Sequence, residues 1–152
     1  MEMTLSRRGD YVIRAAVYLA SRFGDDTSVT LDEVSKRMSI PRSYAPRIMG
    51  ALVATGLATS RAGRAGGYRL AREPAEISVL DVIEVGEGGI GLARCPLRGV
   101  PCHWGEHCAV HSTMWQATEA IRDTLRSTSL TDLADEELRL EDGPAVPSGP
   151  RR

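Results

Sequence analysis

No stretch of the 152-residue chain stays apolar for the roughly 18 residues that a membrane crossing needs. The opening MEMTLSRRGD lacks the apolar core of a secretory signal, and the sequence carries no internal repeat. No nucleophile–base–orienter set and no phosphate loop stands out, so an enzyme reading has no residues to rest on. Cysteine is scarce and odd in number, three in all, which argues against a disulfide framework and for metal or redox chemistry. These absences leave a soluble, cytoplasmic protein that is not an enzyme. Its length suits about one domain, and 42% hydrophobic with 26% charged residues excludes wholesale disorder.

What is present is unevenly placed. Residues 1–72 hold 12 Arg and Lys against 6 Asp and Glu, whereas residues 73–140 hold 5 against 12. A basic front half suggests contact with a polyanion, although two ordinary solvated faces have the same composition. All three cysteines and all three histidines fall between Cys95 and His111.

The pattern predicts a helix over 9–23, with Tyr11, Ala15, Leu19 and Phe23 on one face. Thr30 and Glu33 form a capping box for a short helix from Leu31 to about Met38. A third helix follows Pro41, with Ser43 as N-cap, Pro46 in the first turn and Gly56 as the stop. Strands at 57–60 and 68–70 flank RAGRAGG, whose glycines supply turn positions with positive φ. Ser78 caps a helix running to about Val85. A long helix from Cys108 to about Arg126 carries Val110, Met114, Ala117, Ile121 and Leu125, and spans roughly 28 Å. So little chain remains to cover it that a second subunit is the better partner. A short helix over 132–140 precedes a Pro/Gly-rich tail. The expected fold is therefore mainly α with a small β-hairpin, a winged helix-turn-helix plus a long dimerisation helix. The expected division is 1–74 for DNA binding, 75–140 for the cysteine loop and dimerisation helix, and 141–152 as a disordered tail.

In a helix-turn-helix the second helix turns its N-terminal residues toward base edges in the major groove. That end carries Arg42, Ser43, Tyr44 and Arg47. The arginine fork matches guanine edges or phosphate, and the hydroxyls can donate to phosphate oxygens. Tyr44 reads equally well as core. The hairpin offers Arg61 and Arg64 at its tip and Arg69 on its return strand, placed for a narrow minor groove. The partner is then a double-stranded DNA operator, with contacts to protein alone as the rival use of the same fold.

The cysteine spacing is Cys95-x6-Cys102-x5-Cys108-x2-His111. Structural zinc sites favour cysteine pairs two to four residues apart, and longer spacers suit a larger object, an iron–sulfur cluster. Cys108 is expected at a helix start, where the dipole favours thiolate, with His111 one turn on. Three thiolates leave one position for a weaker ligand, which suits a sensor open to oxygen, nitric oxide or reductant. A structural zinc site or a thiol redox switch is the alternative. His103 and His107 read as surface residues.

LSRRGDYVIRAAVYLA, the wing RAGRAGGYRLA, SVLDVIEVGEG and the three-cysteine loop before a helix together resemble the IscR/NsrR-type (Rrf-two) transcriptional regulators over residues 3–135. The resemblance implies a homodimer crossing through its long helices, with cluster state controlling promoter binding. It implies a fourth ligand at His111 on a 2Fe–2S cluster, as in IscR-like members, or at Asp10 on a partner's 4Fe–4S cluster, as in some NsrR-like members. Pro46 stands where IscR-like members carry a glutamate used in base discrimination, so their operator preference does not transfer.

Overall fold

The computed structural model describes residues 4–91, 100 and 108–141. Among these residues six α-helices and one hairpin follow in the order α1 (Arg7–Ser21), α2 (Leu31–Arg37), α3 (Ala45–Ala54), β1 (Ala58–Arg61), β2 (Gly67–Leu70), a 3-10 turn (Pro74–Glu76), α4 (Val79–Glu87), α5 (His111–Ser127) and α6 (Leu130–Glu141). This is the mainly α, winged-helix arrangement expected.

The helix starts are set by short polar side chains. Ser6 caps α1, its Oγ accepting from the Gly9 N–H at 3.1 Å. Thr30 and Glu33 close the expected capping box on α2, and Ser78 with Asp81 closes a second one on α4. Each box satisfies backbone N–H groups that have no partner within the helix. The α3 start differs from expectation. Its N-cap is Tyr44, with no side-chain cap, and Ser43 lies inside the preceding turn. The Pro41 carbonyl closes that turn by accepting from the N–H groups of Tyr44 and Ala45 at 2.8 and 3.2 Å, so a hydroxyl is not required. Between α2 and α3, Ser39 takes a left-handed conformation, with φ of 52°.

The hairpin is antiparallel, pairing Ala58 with Leu70 and Arg61 with Gly67. Val29, in the loop before α2, adds an isolated bridge to β2 by exchanging backbone hydrogen bonds with Tyr68 at 3.0 and 2.8 Å. Gly67 permits that approach. Its φ is 146°, and a Cβ there would sit 2.6 Å from the Val29 carbonyl oxygen.

One core runs through the molecule, across the expected boundary at residue 74. Val12, Ala15, Ala16 and Leu19 of α1 pack with Val34, with Ile48, Met49 and Leu52 of α3, and with Leu57 and Leu70 of the hairpin. Ile77, Val82, Leu130 and Ala134 belong to the same cluster. Phe23, expected on the buried face of α1, falls beyond the helix end and is exposed. The α1–α4 contact is backbone to backbone: a Cβ on Gly86 would lie 2.5 Å from the Gly9 Cα. A bridge between Ser78 and Ser129 ties the chain entering α4 to the α5–α6 junction. The expected tail begins at residue 141. Glu141 ends α6, and 142–152 lie outside the described residues.

Candidate nucleic-acid interface and cysteine segment

Burying Ala45, Ile48, Met49 and Leu52 leaves the opposite side of α3 in solvent. Arg42, Ser43, Tyr44 and Arg47 are all exposed at its start. Arg42 pairs with Asp32 of α2. Tyr44 stands edge-on to Tyr11 of α1, ring centroids 5.7 Å apart, with 38% of its surface accessible. It is thus both a packing residue and a surface one. On the hairpin, Arg61 and Arg64 are exposed. Among the described residues Arg47, Arg61 and Arg64 make no ion pair, so their charges face solvent unmatched. Arg69 is differently placed. Its Nε donates to Ser28 Oγ at 3.3 Å and its Nη2 to the Asp26 carbonyl, so it braces the loop before α2.

The α2 capping box also sets a charge. Thr30 donates its backbone N–H and its hydroxyl to Glu33 Oε2 at 2.7 and 2.8 Å. Those two bonds hold the Glu33 carboxyl below the usual carboxylate range.

Of the expected cysteine ligands, Cys95 and Cys102 lie outside the described residues, as do His103 and His107. Cys108 is a free thiol, half-exposed. It does not begin the helix as expected. Residues 108–111 form a turn in which the His111 N–H donates to the Cys108 carbonyl at 3.1 Å, and α5 starts only at His111. Cys108 therefore precedes the helix by three residues, and His111 is half-buried in its first turn. That first turn has no acidic residue and no side-chain cap, so its free N–H groups and dipole suit an anionic group beside Cys108. Thiolate sulfur, imidazole and a positive helix end form a donor set that fits an iron–sulfur cluster. Asp10 is in the first turn of α1, paired with Arg14 at 2.8 Å. Among the described residues no three His, Cys, Asp or Glu side chains gather into one metal site.

Helix α5 differs from expectation in its partners as well. Met114, Ile121 and Leu125 are half-buried, while Val110, Ala117 and Trp115 are exposed, and no α5 residue is fully buried. The expected stripe is thus split between the chain's own α4 and solvent. An apolar groove of about 460 Å³ stays open between them, lined by Leu5, Ile83, Glu87, Ile90, Ile121 and Leu125. Sequence reasoning missed Arg122 and Glu84, which bond across the α4–α5 contact at 2.7 Å. In the sequence Arg122 reads as an ordinary surface partner of Glu119, and nothing local points to Glu84.

The family described as "Rrf2: Iron-dependent Transcriptional regulator" matches residues 5–136. The HTH-type transcriptional regulator IscR of Photorhabdus laumondii is 30% identical over 133 residues, covering 88% of this chain and 80% of its own. Among solved structures, that of T. potens IscR aligns with a TM-score of 0.71 at 27% identity, covering 95% of this chain and 96% of its own. The oxidized form of Staphylococcus aureus CymR aligns with a TM-score of 0.65 at 27% identity, covering 88% and 97%.

Proposed function

The chain belongs to the Rrf2 family of transcriptional regulators, and on that basis we propose a homodimeric repressor whose operator binding is set by an iron–sulfur cluster. The cluster would be held by Cys95, Cys102 and Cys108, with His111 or a partner's Asp10 as the fourth ligand. When bound, it supplies a centre that reacts with nitric oxide, oxygen or reductant. Cys108 is the observation that carries this reading: a free sulfur donor beside a helix end that lacks any acidic or capping side chain.

The chain's own residues divide the remaining work. Arg42, Ser43, Tyr44 and Arg47 present α3 to the major groove. Asp32 yields Arg42 to a phosphate, exchanging one exposed ion pair for another. Arg61 and Arg64 reach the minor groove from the hairpin tip, and Arg69 holds the hairpin against the loop before α2. Two such units read half-sites about one helical turn apart, so a small change in their spacing loses register. Support for the homodimer is α5, which has no fully buried residue and leaves an apolar groove open along one side. The three-part division, 1–74, 75–140 and 141–152, is kept as a functional one.

Anaerobic purification followed by iron, sulfide and absorption analysis tests the reading. The expected result is a coloured dimer with iron and sulfide in near-equal amounts, which loses operator binding on treatment with nitric oxide. Colourless protein holding stoichiometric zinc overturns the cluster. A second reading, a thiol switch without metal, is favoured by the half-exposed free thiol of Cys108 and by the likeness to an oxidized CymR. It predicts colourless, metal-free protein whose DNA binding responds to peroxide and recovers with dithiothreitol.

A further inference from the structure

Helix α5 keeps its place without burying a single residue, and one side chain supplies the polar part of its hold. Arg122 donates from Nη1 to Glu84 Oε1 at 2.7 Å and to the Ile90 carbonyl at 2.6 Å, with its side chain 23% exposed. Glu119 lies 3.7 Å from its Nε. Among the described residues, no other α5 side chain hydrogen-bonds outside its own helix. Ile90 stands five residues ahead of Cys95 in the sequence, and Cys108 stands three ahead of His111. One helix therefore grips the chain on the entry side of the cysteines through Arg122 and receives it on the exit side through its own first turn.

The grip continues through α4. Glu87, three residues after Glu84, accepts from the Ser6 N–H at the α1 N-cap, at 2.7 Å. The Gly9–Gly86 contact beside it leaves no room for a side chain. Helix α1 in turn packs against α3. A continuous path of close contacts thus runs from Ile90 and α5 through α4 to the helix that supports the DNA-reading element. Arginine suits the first link because two hydrogens of one fixed nitrogen meet two acceptors, and partial burial strengthens a charge-assisted bond.

We propose that Arg122 is a positioning residue that clamps the lead-in to the cysteine segment onto α4, so that a change at the cysteines moves α4 and α1 together. This rests on the reading of the cysteines as a sensor. Without the clamp, the cysteines would still react but the signal would stop at Ile90.

The test uses the full-length, anaerobically purified protein and three variants: Arg122→Gln, Arg122→Lys and Glu84→Gln. Hydrogen exchange at residues 88–91 is read first. Next comes the ratio of dissociation constants before and after a nitric oxide donor, on a DNA fragment selected by the wild-type protein from a random pool. In Arg122→Gln, exchange at 88–91 should quicken at least fivefold while α3 and the hairpin stay unchanged. The ratio should fall toward one, with the affinity of the treated state kept. Glu84→Gln should do the same more mildly, and Arg122→Lys should recover part of the response. A role confined to stability would lower the melting temperature and leave the ratio alone, and that outcome overturns the proposal. Unchanged exchange at 88–91 overturns it too. If the wild-type ratio is already one, the sensor reading fails, and with it the coupling; exchange then decides the clamp alone.

Discussion

The two ends of this molecule are stabilised in opposite ways. In the front part, α1, α3 and the hairpin surround Leu19, Ile48, Met49 and Leu52, all at 2% exposure or less. The back part presents a 17-residue helix, α5, with no buried residue and Trp115 51% exposed. A surface that reads DNA must be held rigid by its own chain, whereas a surface that meets a second copy is completed by that copy. On the homodimer proposed above, low burial in α5 marks where one chain's own structure ends, rather than a weakness in the fold.

The contrast can be tested by substitution. Leu52→Ala should lower stability by about 2–5 kcal/mol in urea unfolding, because it opens a cavity in a fully packed site. Leu125→Ala, on the half-covered face of α5, should cost less than half as much in dilute solution. A loss as large as that of Leu52→Ala, independent of protein concentration, would erase the distinction. Trp115→Glu places a charge on the exposed face of α5 and should raise the dimer dissociation constant by roughly a hundredfold, as for loss of an aromatic interface anchor. Sedimentation at micromolar concentration reads this directly, and an unchanged mass removes that face from the dimer.

At the front, Arg61→Ala combined with Arg64→Ala should weaken operator binding by on the order of tenfold and reduce the salt slope by about 2, one unit for each phosphate no longer neutralised. An unaltered slope takes the hairpin out of the interface. Thr30→Ala should have the smallest effect, about 1 kcal/mol, the usual worth of an N-cap. Its companion Glu33→Gln carries a pH signature. The folded state holds the Glu33 carboxyl below its ordinary 4.5, so the contribution is present above that value and disappears as pH falls through the lower, folded one. The stability gap between wild type and Glu33→Gln should therefore close between about pH 5 and the acid range. A constant gap would mean that the carboxylate charge does not matter.

Much of this was legible from residue order alone. Thr30 with Glu33 and Ser78 ahead of its helix announced starts that depend only on neighbours within one turn. The Arg-Ala-Gly-Arg-Ala-Gly-Gly hairpin announced its turn because positive φ is a demand on single residues, met by Gly63 and Gly67 though not by Gly66. The errors lie where the deciding partner is distant or of another kind. Ser43 has the chemistry of a cap, but the Pro41 carbonyl already closes the turn. Cys108 stands where a helix could start, but its carbonyl accepts the His111 N–H and holds the turn outside the helix. The apolar spacing in α5 does form a stripe, yet α4 covers part of it.

Local chemistry settled the order of elements, the caps of α2 and α4, the hairpin and the clustering of sulfur and imidazole in one segment, because each involves residues a few positions apart. The pairing of Arg122 with Glu84, the seating of Glu87 on the start of α1 and the bare backbone contact of Gly9 with Gly86 join residues 38 to 81 positions apart. Spacing along a chain carries no information about such meetings. They exist only once the core has brought the helices together.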